Sequence, residues 1–582
     1  MPPSPPRDVS PTTVVTRAFE TLGVSLAHTD AAEAEAAAWH ENPGLDDPAL
    51  EDLTALPFVT IDNPGSRDLD QALLIERDGA DFRIRYALAD ASHYVRPGSA
   101  LFASALERGA SHYTPLAVAP MLPRSLSEDL VSLAPAAERR SVVFDMRLGP
   151  DGRALGTRVL RARIRSRAQL TYVGVQAFLD GRPEAATRAP GEPPDEPRHG
   201  SLDEGSRQSL RLLREVGGKL EHLARERGVI AFDRRETRIE IDGDPPRFVA
   251  RERERLRVEG WNAEISLLCN TEGAALLAGL DSPQSESPAD GNDERAGSES
   301  DTGTLEPIYR VHEAPPGTRL DELRRELDAW VTSTGLDERW RWTKKRSLAD
   351  YIASLPDAPR ERGRVRAVQR QVLVRQRASE FRATPGRHHA LALASYARFS
   401  SPMREIVGVF THRELLAELE GRGDHDPALR DAVIESANAA RRRQKALDKR
   451  IGLAVIGDLL EADLARDPVP TRAGTVLGVR SGRDGAGGHL YVGLDEFALD
   501  LKVYAEDLER RHGTPYSLAG LRAVPADSAR PQFAIGDAVG VRAAGFDPET
   551  ERFRLDAMPR GEAARRERRR TQRRERRRAR PG

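Results

Sequence analysis

The sequence predicts an α+β protein: a large domain of mixed strands and helices, then a small five-stranded barrel of the OB type and a disordered basic tail. Three observations carry this reading. Residues 82–89 (FRIRYALA) and 141–148 (SVVFDMRL) alternate apolar and polar side chains, the two-residue period of a half-buried strand. Residues 206–228 place Leu210, Leu213, Val216 and Leu220 on one helical face. Beyond Pro468 come five short strand patterns, at 473–480, 489–494, 497–503, 538–544 and 553–556, separated by glycine and charged turns. Five short strands in about 85 residues suit an OB-type barrel.

In chain order, residues 1–12 are proline-rich and expected to be disordered. Residues 13–22 and 30–41 read as short helices, and 43–57 as a connector. From Phe58 the pattern turns to strand, with Asp151-Gly152 as a hairpin turn into 155–164. Residues 100–108 are helical, 113–132 irregular, and 181–200 a surface loop. Strands are expected at 230–232 and 248–259, then an apolar helix at 261–280 that buries Cys269. Residues 281–304 lack aromatic and large apolar residues and read as a disordered acidic insert. Helices follow at 320–334, 348–354, 365–381, from past Arg404 to 419, and as one or two over 427–464. The expected organisation is a leader over 1–57, a main domain over 58–466, the barrel over 467–558 and the tail over 559–582.

Composition narrows the function. No apolar run approaches the roughly 20 residues that span a bilayer, and no secretory apolar region follows Met1. A cytoplasmic protein without membrane contact is expected. One cysteine, Cys269, excludes an internal disulfide and a cysteine-rich zinc site. The net charge of −2 hides an asymmetry. Residues 560–582 hold twelve arginines and three glutamates, and residues 281–306 hold eight acids against Arg295. That distribution fits a nucleic-acid partner better than a small molecule.

The chemistry concentrates in residues 58–76, FVTIDNPGSRDLDQALLIE. A strand is expected to end at Asp62, Asn63-Pro64-Gly65-Ser66 has the residues of a type II turn, and a second extended piece starts near Asp68. Alternation then points Asp68 and Asp70 the same way, and the turn brings Asp62 towards them. Three converging carboxylates repel one another unless a cation sits among them, and all-oxygen ligands suit magnesium or manganese. The competing reading is a solvated acidic turn.

Further motifs decide between the two. Thr60-Ile61-Asp62 with Arg67-Asp68-Leu69-Asp70-Gln71-Ala72, residues 89–95 (ADASHYV), Pro120-Met121-Leu122-Pro123, and residues 396–404 (YARFSSPMR) with His412-Arg413 occur in order. Together they resemble the RNB exoribonucleases, the family of ribonucleases II and R. The terminal barrel resembles the RNA-binding OB domain named after ribosomal protein S-one. The leader has no counterpart of the cold-shock barrels that precede the ribonuclease II catalytic domain.

The resemblance implies 3′-to-5′ hydrolytic degradation of single-stranded RNA to nucleoside 5′-monophosphates, by a monomer that uses Mg2+, with Mn2+ as the alternative. By position, Asp62, Asp68 and Asp70 are the implied metal-binding and catalytic acids. Gln71 stands where the family has a fourth acid and is the fourth implied metal-site residue. Arg404 is the implied contact to the scissile phosphate. Tyr113 and Phe232 are the implied base-stacking aromatics, and Ser401 lies in the same RNA-contacting motif as Arg404. Two departures stand out: Glu405, Ile406, Val407 and Gly408 replace an R-R-Y-x-D pattern, and Ala263-Glu264 replaces a pair of acids.

A phosphodiester hydrolase needs an activated water and charge compensation at the leaving oxygen, which divalent cations supply. A guanidinium fork suits the phosphate, and aromatic faces stack on bases without reading sequence. Each residue also has a structural reading. Arg404 alone reads as a surface charge, Tyr113 and Phe232 as core aromatics, and His93 and His412 as structural. The arginine tail reads as a nonspecific contact to nucleic acid or ribosomes. Gln71 motivates a rival from another class, an RNA-binding protein with a weakened active site.

Overall fold

The computed structural model describes residues 10–182, 202–232, 236–279, 305–421, 426–482 and 487–561. The expected acidic insert, nearly all of the tail and most of the 181–200 loop lie outside them.

A seven-stranded sheet positions the chemistry. Its strands are β1 (Glu51–Asp52), β2 (Val59–Asp62), β3 (Gln71–Asp78), β4 (Asp81–Ala89), β7 (Glu138–Leu148), β8 (Ala154–Arg165) and β9 (Ala168–Thr171). Their order is β1-β8-β7-β4-β3-β2-β9. A short hairpin of β5 (His112–Tyr113) and β6 (Val118–Ala119) lies between β4 and β7 in the chain. The interior pairs are antiparallel, and β1 and β9 join the edges in parallel. Cross-strand neighbours Leu73, Tyr86 and Phe144 face the helices Glu204–Glu226 and Arg257–Leu277. The alternate residues Ala72, Leu74, Ala87 and Val143 face Ala100–Arg108, Ile406–Leu419 and Pro427–Leu464. Both faces are therefore buried, and the alternation read in the sequence sorts residues between two cores.

The turn after β2 takes the expected form. Gly65 has φ +80°, and Ser66 N–H donates to Asn63 O at 3.2 Å. The following segment differs from expectation, because β3 begins at Gln71 rather than near Asp68. Loop atoms claim the intervening backbone instead: Leu69 N–H donates to Ser132 Oγ at 3.1 Å and Leu133 N–H to Leu69 O at 2.9 Å. Residues 67–69 are thereby held off the sheet, Asp70 O accepts from Ala89 N–H at the end of β4 at 2.8 Å, and the acidic side chains can converge.

Three other expectations are corrected. No strand forms at 230–232; the hairpin there is β10 (Glu236–Asp242) with β11 (Arg247–Arg253). The expected strand at 248–259 stops early, since the Glu259 carboxylate accepts from Leu256 N–H at 3.0 Å and starts a helix at Arg257. The helix expected over 365–381 ends at Leu373. Phe381 instead lies in β13 (Glu380–Arg382), paired with β12 (Tyr309–Val311). The Asn438 amide holds both Phe381 N–H and Phe381 O at 3.0 Å.

The helix Pro427–Leu464 is continuous, about 57 Å at 1.5 Å per residue. It leads into the terminal barrel: β14 (Arg472–Ser481), β15 (Gly488–Leu494), β16 (Asp500–Tyr504), β20 (Ala538–Asp547) and β21 (Arg552–Pro559). The sheet order is β16-β15-β14-β20-β21, and β16 lies against β21, which closes the five strands. The chain between β16 and β20 adds a helix, Ala505–His512, and a small sheet of β17 (Tyr516–Ala519), β18 (Arg522–Pro525) and β19 (Phe533–Ala534). That sheet was not legible in the sequence. Among the described residues, no helix is long and apolar enough to cross a membrane.

Candidate active site

Asp62 ends β2, Asp68 and Asp70 sit in the pinned segment before β3, and Arg404 arrives from the loop before the Ile406–Leu419 helix. The Arg404 guanidinium reaches all three acids. Its Nη2 lies 3.1 Å from Asp62 Oδ2, and its Nε lies 3.0 Å from Asp68 Oδ2 and 2.7 Å from Asp70 Oδ2. Nη2 also donates to Asp68 O at 2.8 Å. Asp70 is 2% exposed, and its Oδ1 accepts from Met403 N–H at 2.9 Å.

Three carboxylates face one guanidinium, which leaves two formal negative charges uncompensated. Burial pushes the Asp70 carboxyl up to about 7 against the pull of Arg404, and Asp68 and Asp62 add to the rise. Burial raises Asp68 as well. Burial works against the charge on Arg404, but Asp70 and the other acids outweigh it and hold the guanidinium above its ordinary range. Among the described residues, no three His, Cys, Asp or Glu side chains are already spaced to enclose a metal ion, and here the guanidinium occupies the point of convergence. The donor set nonetheless fits a hard divalent cation. All donors are carboxylate oxygens, charge is in surplus, and Asp70 Oδ2 receives no hydrogen bond because Arg404 Nε lies out of line.

The loop that delivers Arg404 is over-determined. Ser401 adopts φ +66°, a left-handed conformation unusual outside glycine, and its carbonyl accepts from Arg404 and Glu405 N–H at 3.0 and 3.1 Å. Asn270, fully buried in the Arg257–Leu277 helix, spends its whole amide on this loop. Its Oδ1 accepts from Phe399 and Ser400 N–H at 2.7 and 3.0 Å, and its Nδ2 donates to Ser400 Oγ and Tyr396 OH at 2.9 and 3.2 Å. Asn270 is not among the residues that the motifs single out. An asparagine directly after the apolar run Leu267-Leu268-Cys269 was the signal, since a buried amide needs partners. Asn270→Ala is expected to lower kcat by 10-fold or more, with a stability loss of about 1–3 kcal/mol; kinetics and denaturant melts on one preparation check both.

Gly408 supports the loop from the other side, where an added Cβ would lie 2.8 Å from Pro402 Cα. Backbone cannot yield as a side-chain tip can. Gly408→Ala should therefore displace Arg404 and reduce kcat at least 10-fold with a smaller change in KM, measured by steady-state kinetics.

The remaining expected residues divide. Tyr113 is 40% exposed, its backbone N–H and C=O are both held by Gln444 at 2.9 Å, and its hydroxyl is raised by burial, with Asp68 and Asp70 adding to the rise. Ser111 N–H donates to Arg404 O at 2.9 Å, which puts this hairpin beside the carboxylate centre. Phe232 is not brought there; it packs against a separate core containing Trp330, Trp340 and Leu477. Gln71 turns its Oε1 to the Tyr86 hydroxyl, on the opposite face of β3 from Ala72, rather than to the acids. His93 and His412 are each held neutral by burial, to about 4. His412 bonds Phe399 O through Nε2 at 2.9 Å and stacks on the Phe399 ring, a structural role.

The RNB domain model matches residues 50–421, nearly two-thirds of the chain. The chain belongs to the RNB family. Among curated RNB relatives, Ribonuclease R of Vibrio cholerae is 32% identical over 383 residues, covering 64% of this chain and 40% of the relative. Exoribonuclease 2 of Edwardsiella piscicida is 30% identical, covering 72% of this chain and 57% of that one. The chain spans about half the length of the curated relatives it matches. Fold likeness extends over nearly all of it: the Mycoplasma genitalium RNase R structure in complex with ribose-methylated single-stranded RNA aligns with TM-score 0.77 at 19% identity, covering 94% of this chain and 78% of that one.

Proposed function

We propose that this RNB protein is a 3′-to-5′ hydrolytic exoribonuclease that degrades single-stranded RNA to nucleoside 5′-monophosphates. The observation that carries the reading is the convergence of Asp62, Asp68 and Asp70 on Arg404 across more than 330 residues of sequence. Relatives named as ribonucleases, one of them bound to single-stranded RNA, support it.

A divalent cation held by Asp62, Asp68 and Asp70, magnesium by preference and manganese as the alternative, would acidify an attacking water and neutralise charge on the leaving oxygen. The protein's own groups do the rest. Asp70 Oδ2, the carboxylate oxygen left without a hydrogen bond, would be a direct ligand to that cation. Water adds at phosphorus and gives up a proton to solvent, the P–O3′ bond breaks, and O3′ takes up a proton from solvent, so the shortened chain keeps a 3′-hydroxyl. Arg404 stays charged and presents a planar fork to the phosphoryl oxygens as negative charge develops. The exposed Tyr113 ring offers a stacking face, worth on the order of 1–3 kcal/mol per base. The barrel over residues 467–558 acts as a separate RNA-capturing domain after the catalytic one.

The test is a 5′-labelled single-stranded oligoribonucleotide incubated with magnesium. The expected result is a ladder that shortens progressively from the 3′ end and stops on chelation. Internal cuts, loss from the 5′ end, or binding without any cleavage would refute the assignment.

A further inference from the structure

A second charge cluster adjoins the Arg404 loop and has the opposite sign. Arg398 and Glu405, at the two ends of that loop, form an ion pair of 3.0 Å. Arg310 from β12 and Arg441 from the Pro427–Leu464 helix come to the same place. Arg310 Nε and Arg441 Nη2 both donate to the single hydroxyl of Ser379, at 3.3 and 3.1 Å, and both guanidiniums lie over the Phe381 ring, 5.8 and 5.7 Å from its centroid. Among the described residues neither makes an ion pair, and Arg398 Nε is buried without a hydrogen-bond partner.

Three guanidiniums thus gather near one carboxylate, which pairs with Arg398 alone, a surplus of two positive charges in a half-buried place. Like charges gathered on one neutral oxygen repel, and burial together with Arg441 and Arg398 pushes Arg310 down to about 10. An oxyanion would relieve that repulsion, and planar guanidinium forks match phosphate oxygens. We propose that Arg310, Arg398 and Arg441 form a phosphate-binding site beside the candidate active site. Its occupant rests on the RNA-degrading function proposed above: a backbone phosphate of the RNA, or the phosphate of the released nucleoside 5′-monophosphate. Glu405 follows Arg404 directly and competes with the phosphate for Arg398, which would couple occupancy of this site to the loop that carries Arg404.

The test uses the full chain with Asp70→Asn, so that RNA is not consumed, and three probes: inorganic phosphate, adenosine 5′-monophosphate and a labelled single-stranded oligoribonucleotide over a range of salt. Adding Arg310→Gln with Arg441→Gln should weaken binding of at least one probe 10-fold or more. If the occupant is RNA backbone, oligoribonucleotide affinity falls and its salt slope shrinks by about one per lost phosphate contact. If it is the product, binding of the monophosphate and inorganic phosphate falls while the RNA slope stays. Glu405→Gln should tighten the same probe several-fold, a gain that misfolding does not produce. Unchanged affinity for all three probes in the arginine variant, or no tightening by Glu405→Gln, would overturn the proposal. A chain that binds RNA but never cleaves it would refute the exoribonuclease reading and leave this test intact.

Discussion

Asp70→Asn is expected to abolish RNA cleavage while making the cation-free protein more stable. Asp70 is fully buried, and its carboxyl is raised from 3.8 to about 7. The folded protein therefore holds that proton more tightly than the unfolded chain does. The resulting stability is fully present below about pH 4 and is lost as pH rises through about 7. At about 1.4 kcal/mol per unit, the loss across this window is on the order of a few kcal/mol. Asparagine keeps an oxygen for Met403 N–H and removes the charge, so the pH slope should flatten and the melting temperature at pH 8 should rise. Cleavage should fall by 10³-fold or more, because the buried anionic ligand to the cation is lost. Melts in chelator at pH 5 and pH 8, beside single-turnover cleavage with magnesium, check both signs. A variant less stable than wild type at pH 8 would show that Asp70 is structural.

The second large effect belongs to Arg404. Removing it leaves three carboxylates facing one another, one of them buried, with no guanidinium among them. Arg404→Ala should cost about 3–5 kcal/mol in the cation-free protein, the range for breaking a buried ion pair. Arg404→Lys separates charge from shape. An ammonium restores most of the stability but cannot reach Asp62 through one nitrogen and Asp68 and Asp70 through another. Its kcat should remain at least 100-fold below wild type with RNA affinity changed far less. Equal kcat for Arg404→Lys and wild type would mean that only the charge matters there. Denaturant melts and cleavage kinetics on both variants decide it.

Much of this site was legible in the sequence because its chemistry is carried by short ordered motifs. The T-I-D and R-D-L-D segments gave three acids, and residues 396–404 gave the arginine that meets them. The turn at Gly65 was readable because only a few residue types accept its φ. Less was readable where tertiary contacts outvote local pattern. Phe381 looked helical until Asn438, 57 residues later, holds its backbone in a strand. The segment from Arg67 to Asp70 looked extended until Ser132 and Leu133 pinned it. Gln71 read as a stand-in fourth acid, but Tyr86 on the neighbouring strand takes its oxygen. Phe232 read as a stacking face and packs instead against a tryptophan-lined core. Asn270 was hidden because its partners lie about 130 residues away. The surplus of two negative charges could not be read at all, since it depends on how close four side chains come.

The most direct test of the central claim is product analysis in 18O-enriched water. Wild-type protein, magnesium and single-stranded RNA should release nucleoside 5′-monophosphates that each carry one 18O in the phosphate. Asp70→Asn should release none while still binding the RNA. Unlabelled or differently phosphorylated products, or labelled monophosphates released equally by Asp70→Asn, would contradict hydrolysis at the carboxylate centre.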